Sequence, residues 1–203
     1  MTHIDLESIE KMDSRYRANL FNTISGFKSA NLIGTIDKSG NTNLAIFNSV
    51  VHIGANPPYL GFILRPTTVE RHTYENIKET GFYTLNHVHE NFIEKAHQTS
   101  AKYERKVSEF EACGFEEEYL NEFRAPFVKE SKIKLGLHLE EEHLIRANGT
   151  LLLVGKVLNA HLDKKLISAD GSVDLTEAGT VAISGLAEYL KPVMLNKFEY
   201  AIP

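Results

Sequence analysis

The chain has 203 residues, 42% of them hydrophobic and 24% charged, with 22 Lys and Arg against 27 Asp and Glu for a net charge of −5. This is the make-up of a globular chain long enough for a sizeable core, and its thinly spread cations give no footprint for the phosphate backbone of nucleic acid. No apolar run reaches the roughly 20 residues that a membrane-spanning helix needs, and the acidic start MTHIDLESIEK lacks a secretory pattern, so a cytoplasmic protein is expected. The single Cys113 has no disulfide partner, and its acidic neighbours in FEACGFEEE argue against a reactive thiolate.

In chain order, the apolar residues Leu6, Ile9, Met12, Tyr16, Leu20 and Ile24 recur at three- and four-residue steps, which predicts one amphipathic helix over residues 5–24. Three strand-like runs follow, NLIGTID, NLAIFNSVVHI and YLGFILR, separated by the turn formers KSGNT and GANPP. Residues 74–80 are expected to form a short helix with Thr73 as its N-cap and Gly81 beyond its last turn. The strand FYTLNHV comes next, then a polar helix-forming section from Glu90 to Asn121. Long strands return in KIKLGLHLEEEHLI and GTLLLVGKVLNAHLD, with Asn148-Gly149 between them as a hairpin signal, and short segments follow around VAISGLAEYLKP. Many strands with few crossover helices imply an antiparallel barrel rather than a parallel sheet. No repeat or linker divides the chain, so residues 1–203 are expected to form one domain.

Two constellations carry chemistry. A helix start with a hydroxyl at Thr73 and a guanidinium at Arg71 has the donors of a phosphate site, although the same residues could simply cap a helix and face solvent. In NLAIFNSVVHI the central pair Asn48 and Ser49 interrupts an apolar run. Buried there, it needs partners, either a cross-strand hydrogen bond or the polar edge of a flat heterocycle lying on the barrel. Arg65, closing the next strand, is a further phosphate or carboxylate partner or one half of a surface ion pair. The histidines show no zinc-ligand spacing. In HVH at 87–89 both rings fall on one face of a strand, so no metal site is expected.

The train Asn43, Ala45, Phe47, then Pro57 and Pro58, then Arg71, Thr73, Asn76 and Ile77, then Asn86 resembles the flavin reductase-like family, from about Asn31 to Leu190. The resemblance implies an FMN-binding split barrel, an antiparallel Greek-key β-barrel with helical inserts. It places the flavin phosphate on Arg71 and Thr73 and the isoalloxazine against Phe47, Asn48, Ser49 and Val50, with Asn86, which closes a strand of the motif, as a further cofactor-binding residue. Asn48 stands where the family usually has Ser, and Ser49 where it often has an aromatic residue. The family also implies NAD(P)H as electron donor, a flavin or other small acceptor, and a homodimer that would bury the apolar stripe of the N-terminal helix. The chain has no GxGxxG unit for a separate nicotinamide domain, so NAD(P)H would stack on the flavin itself, and no side chain need act as nucleophile or base. The alternative is an FMN-binding carrier or electron-transfer module without efficient NAD(P)H turnover.

Overall fold

The computed structural model describes residues 1–202. The chain opens with α1 (Leu6–Lys11) and α2 (Ser14–Ile24), where the sequence predicts one continuous helix. The break has a local cause. Asp13 caps a second helix by accepting from the amides of Arg15 at 2.9 Å and Tyr16 at 3.0 Å, as Asp5 caps the first through the Ser8 amide. Neither helix buries a residue, and Leu6, Tyr16, Phe21 and Ile24 stand exposed.

Next come β1 (Lys28–Ser29), β2 (Asn31–Ile36), β3 (Thr42–Phe47), β4 (Val50–Ala55) and β5 (Pro58–Leu64). The run NLAIFNSVVHI is therefore two strands rather than one. The Asn48 amide donates to the Gly185 carbonyl at 2.7 Å and the Ser49 hydroxyl to the Ile63 carbonyl at 2.8 Å. The polar pair thus spends its donors on backbone and lets the chain turn out of one strand and into another.

The helix α3 (His72–Thr80) begins two residues earlier than expected, with Arg71 at the N-cap. Thr73 does not cap it. Its Oγ1 is already the acceptor for the Asn43 side-chain amide at 3.0 Å, and the Arg71 amide is served by Glu75 Oε1 at 3.1 Å. Gly81 ends the helix at φ 80°, the left-handed conformation in which glycine carries no Cβ penalty.

After β6 (Phe82–His87) the polar section yields a 3₁₀ turn at Glu90–Phe92 and two short helices, α4 (Ile93–Gln98) and α5 (Glu109–Ala112), rather than a continuous helical stretch. Between them, SAKYERKVS has no apolar period to seat a helix, and residues 99–108 run as an irregular strap. Short β7 (Glu117–Glu118) and β8 (Phe127–Val128) pair with each other. The long hairpin of β9 (Ile133–Ile145) and β10 (Thr150–Leu162) turns at Asn148-Gly149, as its sequence signal predicts. β11 (Ala182–Ser184) and β12 (Glu188–Leu190) join β1 in a small sheet.

The main sheet has the order β3-β2-β6-β9-β10-β5-β4, and every ladder is antiparallel. Its edge strands β3 and β4 are consecutive in sequence and joined only through Asn48-Ser49, so the sheet curls without closing: a split barrel. Ile33, Phe62, Tyr83, Leu85, Leu137 and Leu153 fill one core, with Phe47 edge-on to Phe62 at a centroid distance of 5.0 Å. A second core sets Ala30, Leu32 and Leu44 against Phe92, Phe110 and Val181. With cores on both faces, β2 is buried along nearly its whole length, its polar Asn31 and Thr35 included. Among the described residues no helix is long and apolar enough to cross a membrane.

Candidate functional site

A cleft of about 640 Å³ opens where the split sheet, the start of α3 and the strap meet. Its floor comes from β3 and the link to β4, through Asn43, Ala45, Phe47, Asn48 and Ser49. One end is formed by Arg65, Arg71, His72 and Thr73, the opposite wall by His97 and residues 99–103, and the rim by Ile183, Leu186 and Ala187.

The cationic end is built from short-range choices of the chain. Arg71 uses its Nε on the Pro66 carbonyl at 3.3 Å, which points the guanidinium while leaving its two terminal nitrogens uncommitted. Among the described residues no carboxylate lies within ion-pair distance of Arg71 or Arg65. Thr73 is only 5% exposed, and because its Oγ1 accepts from Asn43, its own hydroxyl hydrogen is free to be donated. The first-turn amides of α3 have no intrahelical partners by construction. Cation, hydroxyl and amides together fit an oxyanion such as a phosphate ester.

Beneath this end lies the Glu109 carboxyl, 5% exposed, accepting from the Leu44 amide of edge strand β3 at 3.0 Å. Burial pushes its pKa up, opposed by that amide, by its own backbone amide and by His72. On the far wall His97 Nδ1 lies 3.1 Å from the Tyr189 hydroxyl. Burial pushes the Tyr189 phenol up to about 12, which keeps it protonated.

The structure thus brings Phe47, Asn48, Ser49, Arg65, Arg71 and Thr73 to one cleft. It does not bring Val50 or Asn86 there. Val50 packs against the barrel core. Asn86 is 0% exposed, and its amide donates to Leu32 O and Thr84 Oγ1 while accepting from the Val128 amide, so it ties β6 to its neighbours. The strap, His97, Glu109 and the Ile183–Ala187 rim are lining residues that the sequence reading missed. They come from irregular or distant segments whose only local signal is a run of small and hydroxyl residues, TSA, followed by Lys102.

A profile of the flavin reductase like domain matches residues 25–175. The chain belongs to the flavin reductase-like family. A candidate flavin reductase with a split barrel domain from Shewanella frigidimarina is 49% identical, covers 99% of this chain and 100% of its own, and superposes with a TM-score of 0.96. Component B of nitrilotriacetate monooxygenase from Bacillus cereus is 19% identical over 98% of each chain, with a TM-score of 0.84, a likeness of fold. An uncharacterised Aquifex aeolicus protein is 28% identical over 142 residues, 66% of this chain and 71% of its own. As a member of the flavin reductase-like family, the chain is a flavin-related oxidoreductase with a flavin cofactor.

Proposed function

We propose that the protein is an FMN-dependent oxidoreductase that takes hydride equivalents from NAD(P)H and passes them to a flavin or another small acceptor. One observation carries the reading. A single cleft joins an oxyanion-binding end, Arg71 and Thr73, to an apolar and hydrogen-bonding floor, Phe47, Asn48 and Ser49, as a phosphate-bearing ring system requires. Bound FMN supplies the hydride chemistry, and the residues of the chain hold, orient and shield it. Arg71 and Thr73 hold the phosphate, and Arg65 and Lys102 add positive charge at the mouth. Phe47 contributes an apolar face, and the Asn48 oxygen and second N–H, with the Ser49 oxygen, hydrogen-bond the polar edge of the ring while one Asn48 N–H and the Ser49 hydrogen stay on backbone.

The active form is proposed to be a homodimer. The chain exposes 12826 Å², whereas a compact monomer of 22.8 kDa exposes roughly 9,600 Å². The excess lies where apolar side chains stand out from both ends, on α1–α2 and on residues 191–202, with Leu195 94% and Tyr200 93% exposed. Surface of this size and character matches what obligate dimers bury.

The test has three arms. Protein saturated with FMN and mixed with NADH or NADPH without air should lose its flavin absorbance, and a coloured protein that neither nucleotide bleaches is a carrier instead. Arg71→Ala should weaken FMN by roughly ten- to 150-fold, the value of one charge-assisted contact, and leave riboflavin nearly unchanged. Light scattering should return twice the chain mass at micromolar concentration.

A further inference from the structure

The strap over residues 99–108 has no regular structure, yet it supplies one wall of the cleft, and something must fix its distance from α3. At its cleft end, Gln98 donates to the Tyr103 hydroxyl at 3.0 Å. Further along, a single side chain, Arg105, reaches two other segments, α3 and the β2–β3 turn. Its Nη1 donates to Glu75 Oε2, its Nη2 donates to Asn76 Oδ1 at 3.2 Å, and Nη2 lies 3.9 Å from Asp37 Oδ2 in the β2–β3 turn. Both α3 partners are tied further, Glu75 to the cleft and Asn76 to the sheet. Glu75 uses its other oxygen, Oε1, to accept the backbone amide of Arg71. Asn76 is 3% exposed and donates to Thr35 on β2 at 3.1 Å.

From this geometry we propose that Arg105 is a positioning residue for phosphate recognition. It acts through Glu75, whose carboxylate joins the strap guanidinium to the backbone of Arg71, so that the strap wall and the phosphate arm are held at one spacing. The inference rests on the FMN reading above. Each contact alone is a partly exposed ion pair or hydrogen bond of small value; the position of Arg105 gives it weight, since the strap and α3, which both line the cleft, and the β2–β3 turn meet on one planar group with fixed donor directions.

The expected effect is on selectivity. Arg105→Ala should lower the FMN-to-riboflavin affinity ratio about three- to tenfold, with riboflavin affinity nearly unchanged, and Arg105→Lys should fall between it and wild type. Loss of a positive charge near a phosphate would act the same way, so Glu75→Gln decides. Its amide oxygen can still accept from the Arg71 amide, but its ion pair with Arg105 is gone and one negative charge has been removed. A field effect would tighten FMN in Glu75→Gln, whereas positioning weakens it, again about three- to tenfold against riboflavin. This variant also serves if Arg105→Ala does not fold.

The measurement is flavin fluorescence quenching by both ligands at one ionic strength, with a melt of each variant beside it. A ratio unchanged in Arg105→Ala, or FMN affinity unchanged or raised in Glu75→Gln, overturns the proposal, whatever happens to the melting temperature. A wild-type protein with no preference for FMN over riboflavin overturns the FMN reading itself, and this inference with it.

Discussion

The side-chain amide of Asn43 on β3 donates to the hydroxyl of Thr73 on α3 at 3.0 Å, inside a site where both residues are less than 10% exposed. The bond sets the direction of the Thr73 proton, because an oxygen that accepts from within the protein presents its hydrogen outward to the cleft. It also makes the hydroxyl proposed for the phosphate part of the packing between helix and sheet. Thr73→Val, similar in shape, should therefore have two effects. It leaves the buried Asn43 amide unpartnered, at a cost of about 1–3 kcal/mol in urea unfolding, and it weakens FMN relative to riboflavin. Thr73→Ser should restore both. Recovery of stability without recovery of FMN affinity would remove Thr73 from the phosphate site.

Asn48 behaves differently because its donor is occupied at the backbone. Asn48→Ala deletes the 2.7 Å bond to the Gly185 carbonyl, which holds the junction of β3 and β4 against the cleft rim. The expected loss is about 1 kcal/mol of stability, with FMN and riboflavin weakened by the same factor, since both share the ring proposed to lie there. Parallel titrations with the two flavins check this, and a selective loss of FMN would place Asn48 on the phosphate side.

What could be read from the sequence follows what is local. Gly81 stopping α3, Asn148-Gly149 turning the long hairpin and the strand NLIGTI are each set by neighbours within a few residues, and each appears in place. Arg71 and Thr73 reach one cleft with Phe47 because the motif that carries them spans adjacent elements. The strap was not legible. Its residues have no period, and what fixes them is Arg105 meeting Asp37, Glu75 and Asn76 across 29 residues or more. Asn48 and Ser49 were ambiguous for a related reason, since a polar pair in an apolar run satisfies either a buried strand or a turn, and the deciding carbonyl of Gly185 lies 137 positions away.

Tyr83 stands in the barrel core, 1% exposed, with a hydroxyl that has no hydrogen-bond partner among the described residues. Burial pushes its pKa up. Tyr83→Phe removes a buried unsatisfied group and should leave stability unchanged or raise it by about 1 kcal/mol. The neighbouring Gly155 is small because a Cβ there would stand 2.0 Å from the Tyr83 oxygen. Gly155→Ala alone should destabilise by roughly 1–3 kcal/mol through overpacking, and by less when combined with Tyr83→Phe. Urea midpoints of the two single variants and the double variant check this, and additive effects would separate the two residues.

His87 gives the stability a pH dependence whose sign can be worked out. The half-buried ring projects from the end of β6 toward Thr180, with Nδ1 3.3 Å from the Thr180 hydroxyl, and desolvation pushes its pKa from 6.5 down to about 4. In the unfolded chain the imidazole takes up a proton near 6.5, whereas in the folded protein it does so only near 4. Between those values the unfolded state binds more protons, so stability should fall as pH drops through this window and be unaffected above it. A shift of this size corresponds to about 3 kcal/mol when fully expressed. Glu109 works in the opposite sense: its raised pKa makes the folded state hold the proton more tightly, so its contribution is present at low pH and lost as pH rises above the ordinary carboxyl range. His89, lowered by burial and by Lys132, acts in the same sense as His87, but it is common to both proteins compared and cancels. Urea midpoints of wild type and His87→Gln should therefore diverge between pH 7 and pH 4.5, with wild type losing stability faster on acidification. If the two pH profiles run parallel, the imidazole is charged or solvated in the folded state and another group governs the acid transition.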